Sequence, residues 1–316
     1  MQEAIGGYFE LELPCYEEYH KDALRLNSGK NCIEYILRCR NYTKVYVPYY
    51  TCEVVYKPFE KLGIAIEFYH INIHLEIAQQ IHLKPNEALL YTNYYGLKQR
   101  YVEKLVQRYG NSLIVDNTQA FYAKPIEGVD TFYTCRKYFG VPDGAYLYSD
   151  VDIYEEIEQS VSYNRCDYLL KRIDLSAGEG FGDYHKNEEL LEQQPIRKMS
   201  NLTQRIIRGI DYDSVAKRRR LNYQILHEAL GQENKLDLPM ESDAVPMVYP
   251  YLVPVKSLRE KLIENKIFVA RYWPNVLENT SQDDMDYQLA LYMQPLPIDQ
   301  RYDADDMQRI VNIVKF

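Results

Sequence analysis

The chain has 316 residues, enough for one large domain or a large and a small one, and its 37 basic and 46 acidic side chains leave a net charge of −9. That balance excludes nucleic-acid binding through bulk positive charge, and 46% apolar with 26% charged residues is ordinary for a soluble globular protein. No run of about 18 apolar residues could span a membrane, and the opening Met1-Gln2-Glu3-Ala4-Ile5 lacks the basic and apolar regions of a secretory signal.

In chain order, residues 31–40 are predicted as a helix, 45–48 as a short buried strand, 52–62 as a helix, 64–69 and 88–92 as strands. Residues 101–109 form a predicted helix closed by Gly110, and 113–115 a compact strand with Asp116 at its C-terminal end. A further strand is predicted over 146–148. Such alternation implies a mostly parallel sheet covered by helices on both faces, with ligands binding beyond the carboxyl ends of the strands. Residues 151–200 read as charged and irregular. The glycines of 178–182 follow no strand, so they are not a dinucleotide loop. From about residue 211 the pattern changes: a long helix over 215–230, strand-like stretches near Val245 and over 266–270, and a final helix over 305–314. This predicts a large domain over 1–210 and a small C-terminal α+β domain over 211–316. The basic run Lys217-Arg218-Arg219-Arg220 is expected to be a solvated helix face.

The six cysteines (15, 32, 39, 52, 135 and 166) form no C-x-x-C pair, which points to reduced thiols in a cytoplasmic protein; no zinc-ligand spacing is present. The six histidines show no nucleophile–base arrangement and are read as structural or surface residues. Tyrosine is abundant, with 32 copies. Its flat apolar body and polar tip suit a wet cleft or a subunit interface, although compositional drift explains the count equally well.

Three features fall where the sheet's carboxyl edge is expected. Asn27-Ser28-Gly29-Lys30-Asn31 is a turn feeding a helix, whose free N–H groups suit a phosphate or simply an ordinary cap. Asp116 ends a buried strand, where a carboxylate is costly without a cationic partner such as a protonated pyridine nitrogen. Lys137 lies in the aromatic stretch 132–139, ahead of a Pro-Asp-Gly turn; burial lowers a lysine's pKa and makes its amine a nucleophile toward carbonyls. A phosphate turn, a strand-end Asp and a desolvated Lys, in that order, are what pyridoxal 5'-phosphate (PLP) needs: an anchor for its phosphate, a partner for its ring nitrogen and a Schiff-base amine.

On these motifs the chain resembles the DegT/StrS-type PLP-dependent sugar aminotransferase family, within the fold-type-I aspartate aminotransferase superfamily, over nearly its whole length. The resemblance rests on Ser28-Gly29-x-Asn31, Val47-Pro48-x-x-Thr51, Tyr95-Gly96, Asp116-x-x-Gln119-Ala120 and Lys137 followed by Asp143-Gly144. Looser matches are Met199-Ser200, Arg220-x-x-Tyr223 and Leu296-Pro297. It implies a three-layer α/β/α PLP-dependent transferase fold. It also implies that Lys137 holds the cofactor and shuttles a proton, that Asp116 pairs with the ring nitrogen, and that Gln119 lies near the phenolic oxygen. Gly29, Lys30 and Asn31 would give backbone N–H groups to the phosphate and Thr134 a hydroxyl. Cys52 stands where an aromatic side chain often stacks on the ring, a job open to Tyr49 or Tyr50. Ile196 stands where the family has an Asn reaching the partner subunit, and residues 178–185 and Arg197 are candidates for reaching the neighbour or the substrate. The implied reaction moves an amino group from an amino-acid donor such as glutamate to a keto-sugar, usually nucleotide-linked, in a homodimer. Elimination or dehydration on the same cofactor, or a non-catalytic binding descendant, are the alternatives.

Overall fold

The computed structural model describes residues 5–153 and 156–315. Its centre is a seven-stranded sheet in the order β1-β7-β6-β5-β4-β2-β3. In chain order this half of the molecule runs β1 (Leu24–Leu26), α1 (Gly29–Cys39), β2 (Lys44–Pro48), α2 (Lys57–Leu62), β3 (Ala65–Tyr69), β4 (Glu87–Thr92), α3 (Gln99–Tyr109), β5 (Leu113–Asp116), β6 (Asp130–Thr134) and β7 (Ala145–Tyr148). Strands β2 to β6 are mutually parallel, while β7 runs antiparallel to β6 and β1 antiparallel to β7.

Successive side chains of a strand point to opposite faces, and in the central strands β4, β5 and β6 both faces are dry. Tyr46, Leu89, Tyr91, Leu113, Val115 and Tyr133 enter one core. Their chain neighbours Val45, Val47, Ala88, Leu90, Ile114 and Phe132 enter a second. The second core is closed by Ile33, Ile36 and Leu37 of α1 and Phe59 of α2. The first is closed by Val102 and Leu105 of α3 and by residues from the C-terminal third. This is the expected three-layer arrangement, with largely apolar central strands shielded on both faces, while edge strand β3 exposes Ala65 and Glu67.

The rest of the chain runs α4 (Asp167–Asp174), α5 (Phe181–Gln193), α6 (Asn201–Ile207), α7 (Tyr212–Leu230), β8 (Tyr249–Leu252), α8 (Leu258–Glu264), α9 (Pro274–Asn279), α10 (Met285–Tyr292), β9 (Met293–Leu296) and α11 (Ala304–Lys315). Strands β8 and β9 form a separate antiparallel pair.

Four local expectations are corrected. Residues 52–62 are not one helix: a 3-10 turn, Glu53–Val55, precedes α2, and Pro58 in the first turn of α2 cannot donate to a preceding helix. The stretch 151–200 is not irregular, since it holds α4 and α5. Residues 266–270 form no strand. Lys266 has φ 59°, and the Ile267 N–H returns to the Leu262 carbonyl at 2.8 Å, so this stretch closes α8. The basic run is not uniformly solvated: Arg219 is buried, donating to the carbonyls of Met247 (2.9 Å) and Tyr138 (3.3 Å).

Candidate functional site

The parallel strands discharge at one edge. Past β2 come Thr51 and Cys52, β4 ends at Thr92, β5 at Asp116 and β6 at Thr134; Thr92 and Asp116 are partners in register. Helix α1 starts at the same edge. Together with Thr118, Gln119 and Lys137 these residues line a cleft of about 220 Å³.

Helix α1 begins at Gly29 because Ser28 caps it: the Ser28 Oγ accepts the Asn31 N–H at 3.2 Å. That leaves the N–H groups of Gly29 and Lys30 without helical partners, as the first turn requires. A Cβ on Gly29 would stand 3.3 Å from Thr118 Cγ2, so glycine keeps this cradle open. Asn31 departs from expectation. Its N–H is taken by Ser28, and its buried side chain donates to Asn27 Oδ1 and to the Pro195 carbonyl, away from the cleft. Lys30 lines the cleft, but its Nζ donates to the carbonyls of Glu192 (2.6 Å) and Gln194 (3.2 Å), closing the end of α5.

Asp116 is buried. Its Oδ1 accepts the Thr118 N–H at 2.8 Å and its Oδ2 faces the Thr92 hydroxyl at 3.4 Å. Burial raises its pKa, and the Lys137 charge works against that. Lys137 is exposed and lines the cleft, and its Nζ donates to Thr118 Oγ1 at 3.1 Å. Crowding by protein lowers its pKa, partly offset by Asp116. Lysine and aspartate thus share one hydrogen-bonding intermediary, Thr118.

Gln119 is fixed by a backbone kink. Tyr95 has φ 57°, Gly96 has φ 74°, and the Tyr95 N–H donates to Gln119 Oε1 at 2.9 Å. The buried Gln119 Nε2 has no hydrogen-bond partner among the described residues. Thr134 lines the cleft, with its hydroxyl on the Gly144 carbonyl at 3.3 Å. Cys52 lines it too, but Tyr49 and Tyr50 turn elsewhere: Tyr49 stacks on Phe68, and the Tyr50 hydroxyl pairs with that of Tyr95 at 2.8 Å. The free N–H groups at α1, the space kept by Gly29, an Asp and a Lys that both bond Thr118, and a Gln119 amide nitrogen left without a partner among the described residues fit PLP.

Sequence reasoning missed several wall residues. Trp273 joins the cleft from the C-terminal third. Arg136, ion-paired with Glu188, and Glu192, ion-paired with Lys57, close it from the α5 side. Residues 178–185 and Arg197 are not among its lining residues. The irregular reading of 151–200 hid the α5 wall, and no local pattern marks Trp273.

No family model matches the sequence, and no curated protein does. Solved structures do. The sugar aminotransferase CalS13 from Micromonospora echinospora superposes with a TM-score of 0.64 at 12% identity, over 94% of this chain and 87% of that one. A putative sugar aminotransferase from Streptococcus pneumoniae gives 0.64 at 10% identity, over 96% and 91%. An Escherichia coli GDP-4-keto-6-deoxy-D-mannose-3-dehydratase with bound hydrated PLP gives 0.61 at 14% identity, over 92% and 87%. The fold is that of the sugar aminotransferases.

Within a sugar-aminotransferase fold, the Asp143-Gly144 and Met199-Ser200 matches explain each other. Asp143 is buried and accepts from Ser160 Oγ at 2.9 Å and Ser200 Oγ at 2.8 Å. Gly144 has φ 110°, and a Cβ there would lie 2.9 Å from Thr203 Cγ2 and 3.3 Å from Met199 Cε. Both motifs brace the turn behind Lys137.

Proposed function

We propose that this chain is a PLP-dependent aminotransferase that moves an amino group from an amino acid such as glutamate to a keto-sugar carried on a nucleotide. One observation carries the reading: Lys137, Asp116 and the free N-terminus of α1 open into a single cleft. Gly29 and Lys30 would hold the phosphate through backbone N–H groups, and Gln119 Nε2 would donate to the phenolic oxygen. PLP, when bound, supplies an electron sink for the bonds at the amine-bearing carbon. Asp116 holds a proton on the ring nitrogen, since its buried carboxylate gains a cationic partner there. Lys137 would take the proton from the donor's amine-bearing carbon and deliver it to the cofactor's reactive carbon, and would run the same transfer in reverse for the keto-sugar acceptor. Desolvation aids it, because a lowered pKa leaves more of the amine unprotonated near neutral pH.

The same reading includes a large domain over 1–210 and a small one over 211–316, a cytoplasmic location and a homodimer. Six free thiols support the location. The exposed apolar side chains Leu170, Ile173, Leu175 and Phe181 on and between α4 and α5 support a covered surface.

The test is a titration of the purified protein with PLP. A visible imine band that borohydride fixes onto the chain is expected, absent in Lys137→Ala, and glutamate should convert it to the aminated cofactor. Turnover in Lys137→Ala should fall by at least about 10²–10⁴-fold. A protein that stays colourless with added PLP would overturn the reading. Uptake of PLP without any amination by amino-acid donors would replace transamination with elimination or dehydration.

A further inference from the structure

Trp273 is the only tryptophan in the chain. It is buried, yet it lines the cleft that holds Lys137 and Asp116. Its ring meets that of Tyr50 edge-on at 5.0 Å and that of Tyr272 at 5.1 Å, so both neighbours restrict its rotation. The backbone that follows is tied to the exit of β2: the Asn275 side-chain amide donates to the Thr51 carbonyl at 3.0 Å. An element from the C-terminal third is therefore pinned beside Cys52, whose side chain is too small to cover a ring.

The cleft's other aromatic wall, Phe132, sits under the start of α1, 3.7 Å from where a Gly29 Cβ would lie. The phosphate end and the wall beside Cys52 are thus served by different aromatic residues. An indole has the most electron-rich face among the side chains and attracts electron-poor, positively charged rings. A pyridine ring kept protonated by Asp116 is such a ring.

We propose that Trp273 is the positioning residue for the cofactor ring: an indole delivered from the C-terminal part of the chain covers the ring in place of a side chain at position 52. This rests on the proposed use of PLP.

The unmodified protein supplies the first test. Trp273 is the sole indole emitter, so excitation at the red edge of indole absorption reports this one position among 32 tyrosines. Adding PLP should quench the emission in step with the rise of the visible band. For the second test, Trp273→Leu keeps apolar bulk against Tyr50 and Tyr272 but loses the π face. It should bind PLP about tenfold more weakly and shift the visible band, and Trp273→Phe should restore most of the affinity. Visible-band formation without quenching would overturn the proposal and leave the cofactor reading standing, as would wild-type PLP affinity in Trp273→Leu. Failure of the unmodified protein to take up PLP would overturn both.

Discussion

At Lys137 water removal disfavours the ammonium, while Asp116 and Cys52 favour it and Arg136 opposes it. Water removal prevails, and it could be anticipated from the aromatic run around the lysine. His20 is the opposite case, a titratable group whose setting no local pattern announced. It is almost wholly buried, with Nε2 at 2.8 Å from the Phe121 carbonyl and Nδ1 at 3.1 Å from the Tyr148 hydroxyl. Burial lowers its pKa from 6.5 to about 4. The unfolded chain therefore binds this proton more readily than the folded one. The folded state is unpenalised above about pH 6.5 and loses stability as pH falls toward about 4, by roughly 3 kcal/mol in all. Chemical denaturation between about pH 7 and about pH 4.5 should show most of that loss, and His20→Gln should flatten the dependence. An unchanged slope in His20→Gln would assign the acid sensitivity to other groups.

Among the elements, α1 shows how a cap sets a site. Ser28→Ala removes the acceptor for the Asn31 N–H and should cost about 1 kcal/mol in thermal or denaturant unfolding. The same variant should weaken PLP more than it weakens pyridoxal without phosphate, because only the phosphate uses the first turn. Equal weakening of both ligands would show that the helix start does not serve the phosphate. The strands that present Thr92 and Asp116 were legible as short apolar runs, since burial on both faces forbids polar alternation, whereas β6, which presents Thr134, was read only as an aromatic stretch around Lys137. Two stretches that were not legible matter most here. Helix α5 is rich in charge and enters through glycines, so its cleft-facing Glu188 and Glu192 looked like loop residues. The 266–270 stretch has a strand's composition, but a left-handed residue at Lys266 turns it into the close of α8. Trp273 was lost with it, because only tertiary contact brings that segment to the β2 exit.

Across the whole molecule, Arg219 links the two ends of the fold. It donates to Met247, Pro246 and Tyr138 carbonyls and to Gln300, and its guanidinium lies 4.4 Å over the Tyr138 ring. Tyr138 follows Lys137 directly, so the C-terminal third is fastened to the backbone that carries the reactive amine. Its burial contradicts the solvated face expected of a basic run; four adjacent charges reveal nothing about which one turns inward. Arg219→Met keeps the length but strands several carbonyls, and should destabilise the protein by roughly 2–4 kcal/mol in denaturant unfolding. A change below about 0.5 kcal/mol would mean that water replaces those bonds freely.

The kink at Tyr95 has an effect on ligand polarity. A main-chain N–H can only donate, so the Gln119 amide must present its oxygen to Tyr95 and its nitrogen away from it. The amide is thereby denied the flip that would make it indifferent to its guest. Whatever occupies that corner of the molecule must offer a lone pair, and a guest bearing a hydrogen there would meet an amide that cannot turn to receive it.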